Sequence, residues 1–392
     1  MRIVDVSPRV VAARVGGSQA RIGNILRGLA EHHEVRLLSQ PRLAAVRRSR
    51  LNGGFERANP SLASALVSEL GELDWPTSPL FSGIGLRLTR RAPLRRLLEW
   101  GDVTLVEFPW QFRECAQLAG ERPIVLASHN VEIERHSSLA DAAGAGPSRR
   151  PWLRFIEARE REAVGRADLI VAVSEADRRG FAERYGADPG RIVVAPNGAD
   201  VRGIVPADAD RRAAAREALG VPAGRPVVLF AGADVTPNRV ALDWVRALAR
   251  ATDRFTFLVV GKIGGQPRRE ESLHVTGWIP DFTQALAAAD LSVCPVEFGG
   301  GTKIKLLESL AAGLPVVAFE ESLHGTELRD GEHVVVAPSS VAGLLAALGA
   351  LADDPGRAAR IGAAAREHAV EHHDWRRSAE VVEWALAGLV GR

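Results

Sequence analysis

The chain of 392 residues has little cysteine, tyrosine, methionine or lysine. Its two cysteines, Cys115 and Cys294, lie in apolar contexts with no CxxC spacing. That excludes a disulfide framework and a cysteine-built metal centre, and both are expected as buried thiols in a reducing compartment. A single tyrosine, and no basic motif interleaved with aromatics, argues against nucleic-acid binding. No apolar run approaches the ~18 residues that a membrane span requires. The opening MRIVDVSPRVV runs directly into a strand-like pattern and lacks the layout of a signal peptide. A cytoplasmic protein is the expectation.

The scarcity of lysine points to one stretch. Of 50 Lys+Arg, three are lysine: Lys262, Lys303 and Lys305. Two of the three fall in one tripeptide, inside VEFGGGTKIKLLESLAAGLPVVAF (296–319). The pattern reads as strand, glycine loop, helix, strand. Gly299-Gly300-Gly301 forms the loop, and a helix begins near Thr302 with Ile304, Leu306, Leu307 and Leu310 on its apolar face. Gly313-Leu314-Pro315 ends it. A glycine turn feeding a helix N-terminus offers unpaired N–H groups and the positive end of the helix dipole to an anion. Lysine binds phosphate as a compact point charge, so Lys303 and Lys305 suit that anion. Glu308, farther along the helix, can accept from a sugar or ribose hydroxyl. An ordinary βα turn with a solvated basic first turn is the alternative.

GGGTKIKLLESLAAGLPVVAF resembles the C-terminal signature of the retaining, group-one (family 4) nucleotide-sugar glycosyltransferases, which have the two-domain GT-B fold. Further matches follow in order: GGSQARIGNILRGLA near the start, SHNVE (128–132), VAVSEADRR (171–179), VVAPNGAD (193–200), LFAGADVTPN (229–238) and VTGWIPDFTQALAAADLSVCP (275–295). Their number and order carry the resemblance, which covers nearly the whole chain and is least clear over 40–100. It implies an α/β chain of two Rossmann-like doubly wound domains facing a cleft. Residues 1–205 would bind the acceptor and 206–373 the nucleotide-sugar, with a last helix, about 374–392, packing back on the first domain. The implied reaction moves a sugar from a nucleotide-diphosphate sugar to an acceptor hydroxyl with retention, in polysaccharide, glycolipid or glycoconjugate biosynthesis. No cofactor and no metal are expected. A nucleotide-sugar epimerase on the same fold, and a non-catalytic sugar-binding or scaffold relative, are the rival readings.

The residue assignments follow the matched motifs. His129, just past a strand, can exchange a proton with a hydroxyl and is expected to line the reacting centre beside Lys305 and Glu308. An N-capping or core-satisfied histidine is the alternative for His129. Asn130 and Glu132 fall on the acceptor side. Donor contacts are assigned to Gly17, Asn238, Gly277, Trp278, Ile279, Gly300, Gly301, Thr302 and Lys303. Gly17 could equally sit in a plain tight turn, and Trp278 could pack rather than stack on a base. Many relatives place an Arg and a Lys in the loop where this chain has Ala233 and Asn238. Their E-x7-E pair is incomplete here, because Gly300 stands where the first acid would be. Lys303 and Lys305, with the loop amides, are inferred to replace the missing cations.

Net charge is +2 but uneven: residues 1–200 carry 29 arginines against 24 acids, and the remainder carries 21 basic residues against 24 acids. Arginine clusters at 42–50 and 87–96 could hold a protein peripherally at an anionic membrane face, at ~1 kcal/mol per basic residue; a solvated arginine-rich face is the alternative. The histidine pairs His32-His33 and His372-His373 read as surface positions. Ser174 reads as a helix N-cap with Asp177 in the capping-box position. The interdomain linker is expected near 201–210.

Overall fold

The computed structural model describes residues 1–8, 16–39, 56–58, 86, 91–144 and 150–391. The arginine cluster at 42–50, the beginning of that at 87–96, and most of 40–100 lie outside the described residues. Two compact units divide the chain. One comprises Met1–Pro196 and Trp375–Arg392, the other Asn197–Asp374.

The first unit is built on a parallel sheet of β1 (Arg2–Ser7), β2 (Glu34–Ser39), β3 (Glu56–Ala58), β4 (Val103–Glu107), β5 (Ile124–Ala127), β6 (Leu169–Ala172) and β7 (Ile192–Val194). Their order is β3-β2-β1-β4-β5-β6-β7. Helices on both faces make such strands read as unbroken apolar runs. The pleat divides the core. Ile3 and Leu105 pack with Ile22 and Leu26 of α1 (Gly17–Leu29). Val4, Val6 and Val106 pack on the other face with Phe112 and Phe181. Three more helices of this unit, α2 (Arg91–Trp100), α3 (Phe112–Leu118) and α4 (Glu132–Ala142), precede α5 (Arg150–Arg166) and α6 (Glu175–Tyr185). Ser174 caps α6 as the sequence predicts, its Oγ accepting from the Asp177 amide at 3.1 Å.

The second unit repeats the winding with β8 (Val227–Ala231), β9 (Thr256–Val260), β10 (Arg268–Arg269), β11 (Leu273–Gly277), β12 (Leu291–Cys294), β13 (Val316–Ala318) and β14 (Val335–Val336). Their order is β10-β11-β9-β8-β12-β13-β14, with only the short edge strand β10 antiparallel among these pairs. Around it lie α7 (Ala209–Leu219), α8 (Thr236–Ala251), α9 (Phe282–Ala288), α10 (Ile304–Ala311), α11 (Val341–Asp353) and α12 (Pro355–His372). The stretch expected as linker belongs to this unit at its start. Val201 and Ile204 are buried in its core, and Arg366 of α12 donates to their carbonyls at 3.0 and 2.8 Å. In each sheet the first strand has its sequence successor on one side and a later strand on the other. That switch point opens a crevice at the carboxyl end of the strand, where α/β sheets place ligands.

The last helix, α13 (Trp375–Val390), lies in the first unit, where Val382 and Leu386 join the α1 face of the core. Gly28 is what lets α1 approach it, since an added Cβ there would collide with the Ala379 Cβ.

The histidine pairs divide against expectation. His32 and His372 are exposed, but His33 is half-buried against Glu383 at 3.0 Å and His373 is buried. His373 turns Nδ1 to the Asn197 carbonyl at 2.9 Å. Its ring, with those of His333 and His372, surrounds His368 at centroid distances of 4.6 to 5.5 Å. Local sequence could not show this, because His333 arrives from a loop far from α12.

Two outcomes are expected. Gly28→Leu destabilises the first unit by about 1–3 kcal/mol through overpacking, measurable by urea denaturation. The second concerns acid. Burial, then the neighbouring histidines and Arg329, lower His368 to about 3, so the unfolded chain binds a proton near pH 6.5 that the folded unit refuses. Stability is therefore full above about pH 6.5 and falls as pH drops toward 3. His368→Phe should flatten the fall of Tm across that window; an unchanged slope would refute the assignment.

Candidate functional site

In the second unit, the loops leaving β8 and β12 meet at the switch point. The loop before α10 turns at Gly299 and Gly301, with φ of 101° and 71°, a region that side chains rarely adopt. A Cβ on Gly299 would press on Pro237 Cγ at 3.2 Å, so this loop is in close contact with the start of α8, which follows the β8 loop. Lys303 is the N-cap of α10, whose first residue, Ile304, lies two residues later than the sequence placed the helix start. Its Nζ donates to the carbonyls of Gly299 and Gly301, both at 2.9 Å. It acts as a clasp on the glycine loop.

Lys305 is placed differently. Its Nζ donates to Asn238 Oδ1 at 2.6 Å and lies 4.6 Å from the centroid of the Phe230 ring. Asn238 in turn donates from Nδ2 to the Ala233 carbonyl at 2.8 Å. Burial lowers the Lys305 pKa, so the ammonium is held in a site that disfavours its charge. Thr302 donates to the Gly325 carbonyl at 3.2 Å. Leu306 is the first amide of α10 seen bonding within the helix, to the Lys303 carbonyl. Amides in the first turn of a helix are the ones that an anion can reach.

The structure thus brings Asn238, Gly301, Thr302, Lys303 and Lys305 together through these loops, with Gly300 between them in sequence. Glu308 lies one turn on from Lys305 along α10, half-buried. Gly277 ends β11 with φ 70°, two strands from β8, and Trp278 beside it is 58% exposed. The Gly261 amide at the end of β9 donates to the Gly277 carbonyl at 2.8 Å.

The other assigned residues lie in the first unit. Gly17 opens α1, capped by Gly16, and is exposed. His129 follows β5 and is buried. Its Nε2 lies 2.5 Å from Glu107 Oε2, and its ring stacks on Phe108 with centroids 4.1 Å apart and planes 6° from parallel. Phe108 has φ 71°, the one positive value outside glycine among the described residues. Such a conformation costs on the order of 1–3 kcal/mol and persists only where surroundings enforce it. Asn130 donates to Glu132 Oε1 at 3.1 Å. Burial alone would push the Glu132 carboxyl up; His136, Arg135 and Asn130 outweigh it and hold the carboxyl at about 2. Glu132 is a permanently charged, fully engaged group that orders the start of α4. Glu160 of α5 accepts from the Glu132 and Ile133 amides at 2.6 and 3.0 Å and closes the same helix end.

Sequence reasoning missed Asp5, Arg21 and Glu107, which are buried within β1, on α1 and at the carboxyl end of β4 respectively. The available signal was an aspartate inside the apolar strand RIVDVS and a glutamate ending VTLVE.

Comparison with known proteins follows the same division. The family model described as Glycosyltransferase Family 4 matches residues 15–202, and that described as Glycosyl transferases group 1 matches 225–354. A D-inositol 3-phosphate glycosyltransferase of Xylanimonas cellulosilytica is 32% identical over 306 residues, 70% of this chain and 69% of that protein. The protein of the same name from Nocardia farcinica is 31% identical over 280 residues, 66% of this chain, and the match spans only 59% of that relative. Among solved structures, a sucrose-phosphate synthase from Thermosynechococcus elongatus superposes with a TM-score of 0.79 at 16% identity, covering 100% of both chains. Anabaena HepE in complex with UDP-glucose gives 0.71 at 17% identity, covering 99% and 100%. These two likenesses establish the fold.

Lys305 and Asn238 should behave as one device. In a double-mutant cycle, Lys305→Ala and Asn238→Ala are expected to be non-additive by about 0.5–3 kcal/mol, measured by denaturant unfolding. Additive losses would mean that the 2.6 Å contact carries no energy.

Proposed function

The chain belongs to the group 1 glycosyltransferases, and from that membership we propose that it moves a sugar from a nucleotide-diphosphate sugar to an acceptor hydroxyl with retention at the anomeric carbon. The observation that carries the donor assignment is Lys305, a half-buried ammonium at the switch point in the first turn of α10. Charge develops on the diphosphate as the glycosidic bond breaks. A cation and amide dipoles already fixed at that position stabilise it without reorganising, which is where electrostatic catalysis gains most. Lys303 contributes by holding the glycine loop in shape, and Glu308 orients the donor sugar. Because the ammonium and the amides supply the positive charge, the reaction proceeds without a metal.

The acceptor belongs to the first unit, where His129 exchanges a proton with the attacking hydroxyl. The matched relatives are named for D-inositol 3-phosphate, which makes a phosphorylated polyol the first acceptor to try. A sugar on a polysaccharide or lipid carrier is the next. Contact of the arginine-rich segments with an anionic membrane face belongs to this proposal; among the described residues no helix is long and apolar enough to cross a membrane.

The test is a thermal-shift panel of UDP, GDP, ADP and TDP with their sugars, with and without EDTA, on wild type and Lys305→Ala. A ligand at about 100 times its Kd adds ~2.7 kcal/mol to stability. One nucleotide should stabilise wild type in EDTA and lose that effect in the variant. NMR of the product formed with inositol 3-phosphate should show the anomeric configuration of the donor. No shift from any nucleotide would overturn the donor site, and an inverted product would overturn retention alone.

A further inference from the structure

The buried charges under His129 are more numerous than orientation of one ring requires. The pleat places Asp5 and Glu107 on the same face of the first sheet, the face of Ile3 and Leu105, and β1 lies beside β4 with Asp5 opposite Leu105. Asp5 is fully buried, and neither carboxyl oxygen receives a hydrogen bond from an N–H or hydroxyl among the described residues. Its neighbour is the Glu107 carboxyl. Two carboxylates in contact in a dry site cannot both stay charged; one keeps a proton and donates it to the other. Glu107 is the one turned to a second hydrogen-bond partner, the His129 Nε2 at 2.5 Å.

We propose that Asp5 and Glu107 share one proton, and that this pair is a positioning device that fixes His129 with hydrogen on Nε2 and leaves Nδ1 as the proton acceptor. Phe108, stacked on the ring, holds its plane. Arg21 of α1 supplies the balancing charge. Burial draws its guanidinium down to about 10, while Glu107 and Asp177 pull the other way, so it remains charged at neutral pH. Its Nη1 donates to the Ala195 carbonyl at 2.7 Å. Asp177 of α6 faces Arg21 and accepts from Ser174 Oγ at 2.5 Å and from the Val131 amide at 3.2 Å, and Cys115 of α3 lies near Asp5 with Glu114 beside it. Burial pushes the Cys115 thiol up, so it stays neutral. Burial, with Glu107 beside it, likewise raises Asp5 well above the usual carboxylate range.

The role at His129 rests on the function proposed above, but two measurements do not. Difference infrared spectroscopy at neutral pH should show a protonated-carboxyl band that disappears in Asp5→Asn. Nitrogen-15 spectra of histidine-labelled protein should show the Nε2–H tautomer for His129, assigned with His129→Gln, and its loss in Glu107→Leu. The third readout is transfer. Glu107→Leu should lower kcat by about 10- to 100-fold, with little change in donor KM. Asp5→Leu should lower kcat as well, because Glu107 then lacks its hydrogen-bond donor, and Asp5→Asn, whose amide still donates to Glu107, should restore it. An Nδ1–H tautomer in wild type, or a protonated-carboxyl band that survives Asp5→Asn unchanged, would overturn the shared proton. If no transfer occurs while the infrared and tautomer results hold, the function is wrong and the proton pair stands.

Discussion

The winding of two parallel sheets outward from their first strands is the constraint on which the rest of the structure depends. Strands covered on both faces by helices are mostly apolar along their length, and the switch point is where no crossover blocks their carboxyl ends. In the second unit that constraint places the loops after β8 and β12 together, and with them Asn238, the glycine turn and Lys305. In the first unit it places Asp5 within β1, Glu107 at the end of β4 and His129 just past β5, on three adjacent strands.

The two lysines that the sequence treats as a pair have separate physical roles. Lys303 spends hydrogen bonds on the carbonyls of its own loop, where glycine conformations would otherwise cost entropy to order. Lys305 is turned inward onto Asn238 and the face of Phe230, which costs desolvation and leaves an ammonium already stripped of part of its water. A cation prepared in that way binds an anion with less to give up than an exposed one. Asn238 contributes by accepting from Lys305 rather than by supplying charge.

The first unit handles buried charge by compensation. Glu132 is held ionised at about 2 by His136, Arg135 and Asn130. Glu160 accepts from two amides at 2.6 and 3.0 Å and from the Tyr185 hydroxyl at 2.7 Å, yet burial still raises it to about 7. Asp5 stands apart because neither of its carboxyl oxygens has a hydrogen-bond donor among the described residues and its neighbour is the Glu107 carboxyl. The strained Phe108 lies between Glu107 and the rest of this network in sequence and beneath His129 in space. Strain and buried like charge at one place are features that folding alone does not favour.

The alternation of apolar strands with helices, the capping box at Ser174, the glycine loop and the unusual placement of lysine were all local patterns, and they determined the two-unit Rossmann-like fold and most of the loop before α10. Short-range rules suffice for these because backbone propensity and side-chain period act within a few residues. The burial of His373 among three other histidines, the packing of 201–204 into the second unit, the division of labour between Lys303 and Lys305, and the meeting of Asp5 with Glu107 depended on strand order. Asp5 and Glu107 lie about a hundred residues apart, and only the parallel pairing of β1 with β4 makes them neighbours. Sequence could name an aspartate in an apolar strand; the tertiary structure decided what it faces, because the free energy of a buried charge is set by its neighbours in space.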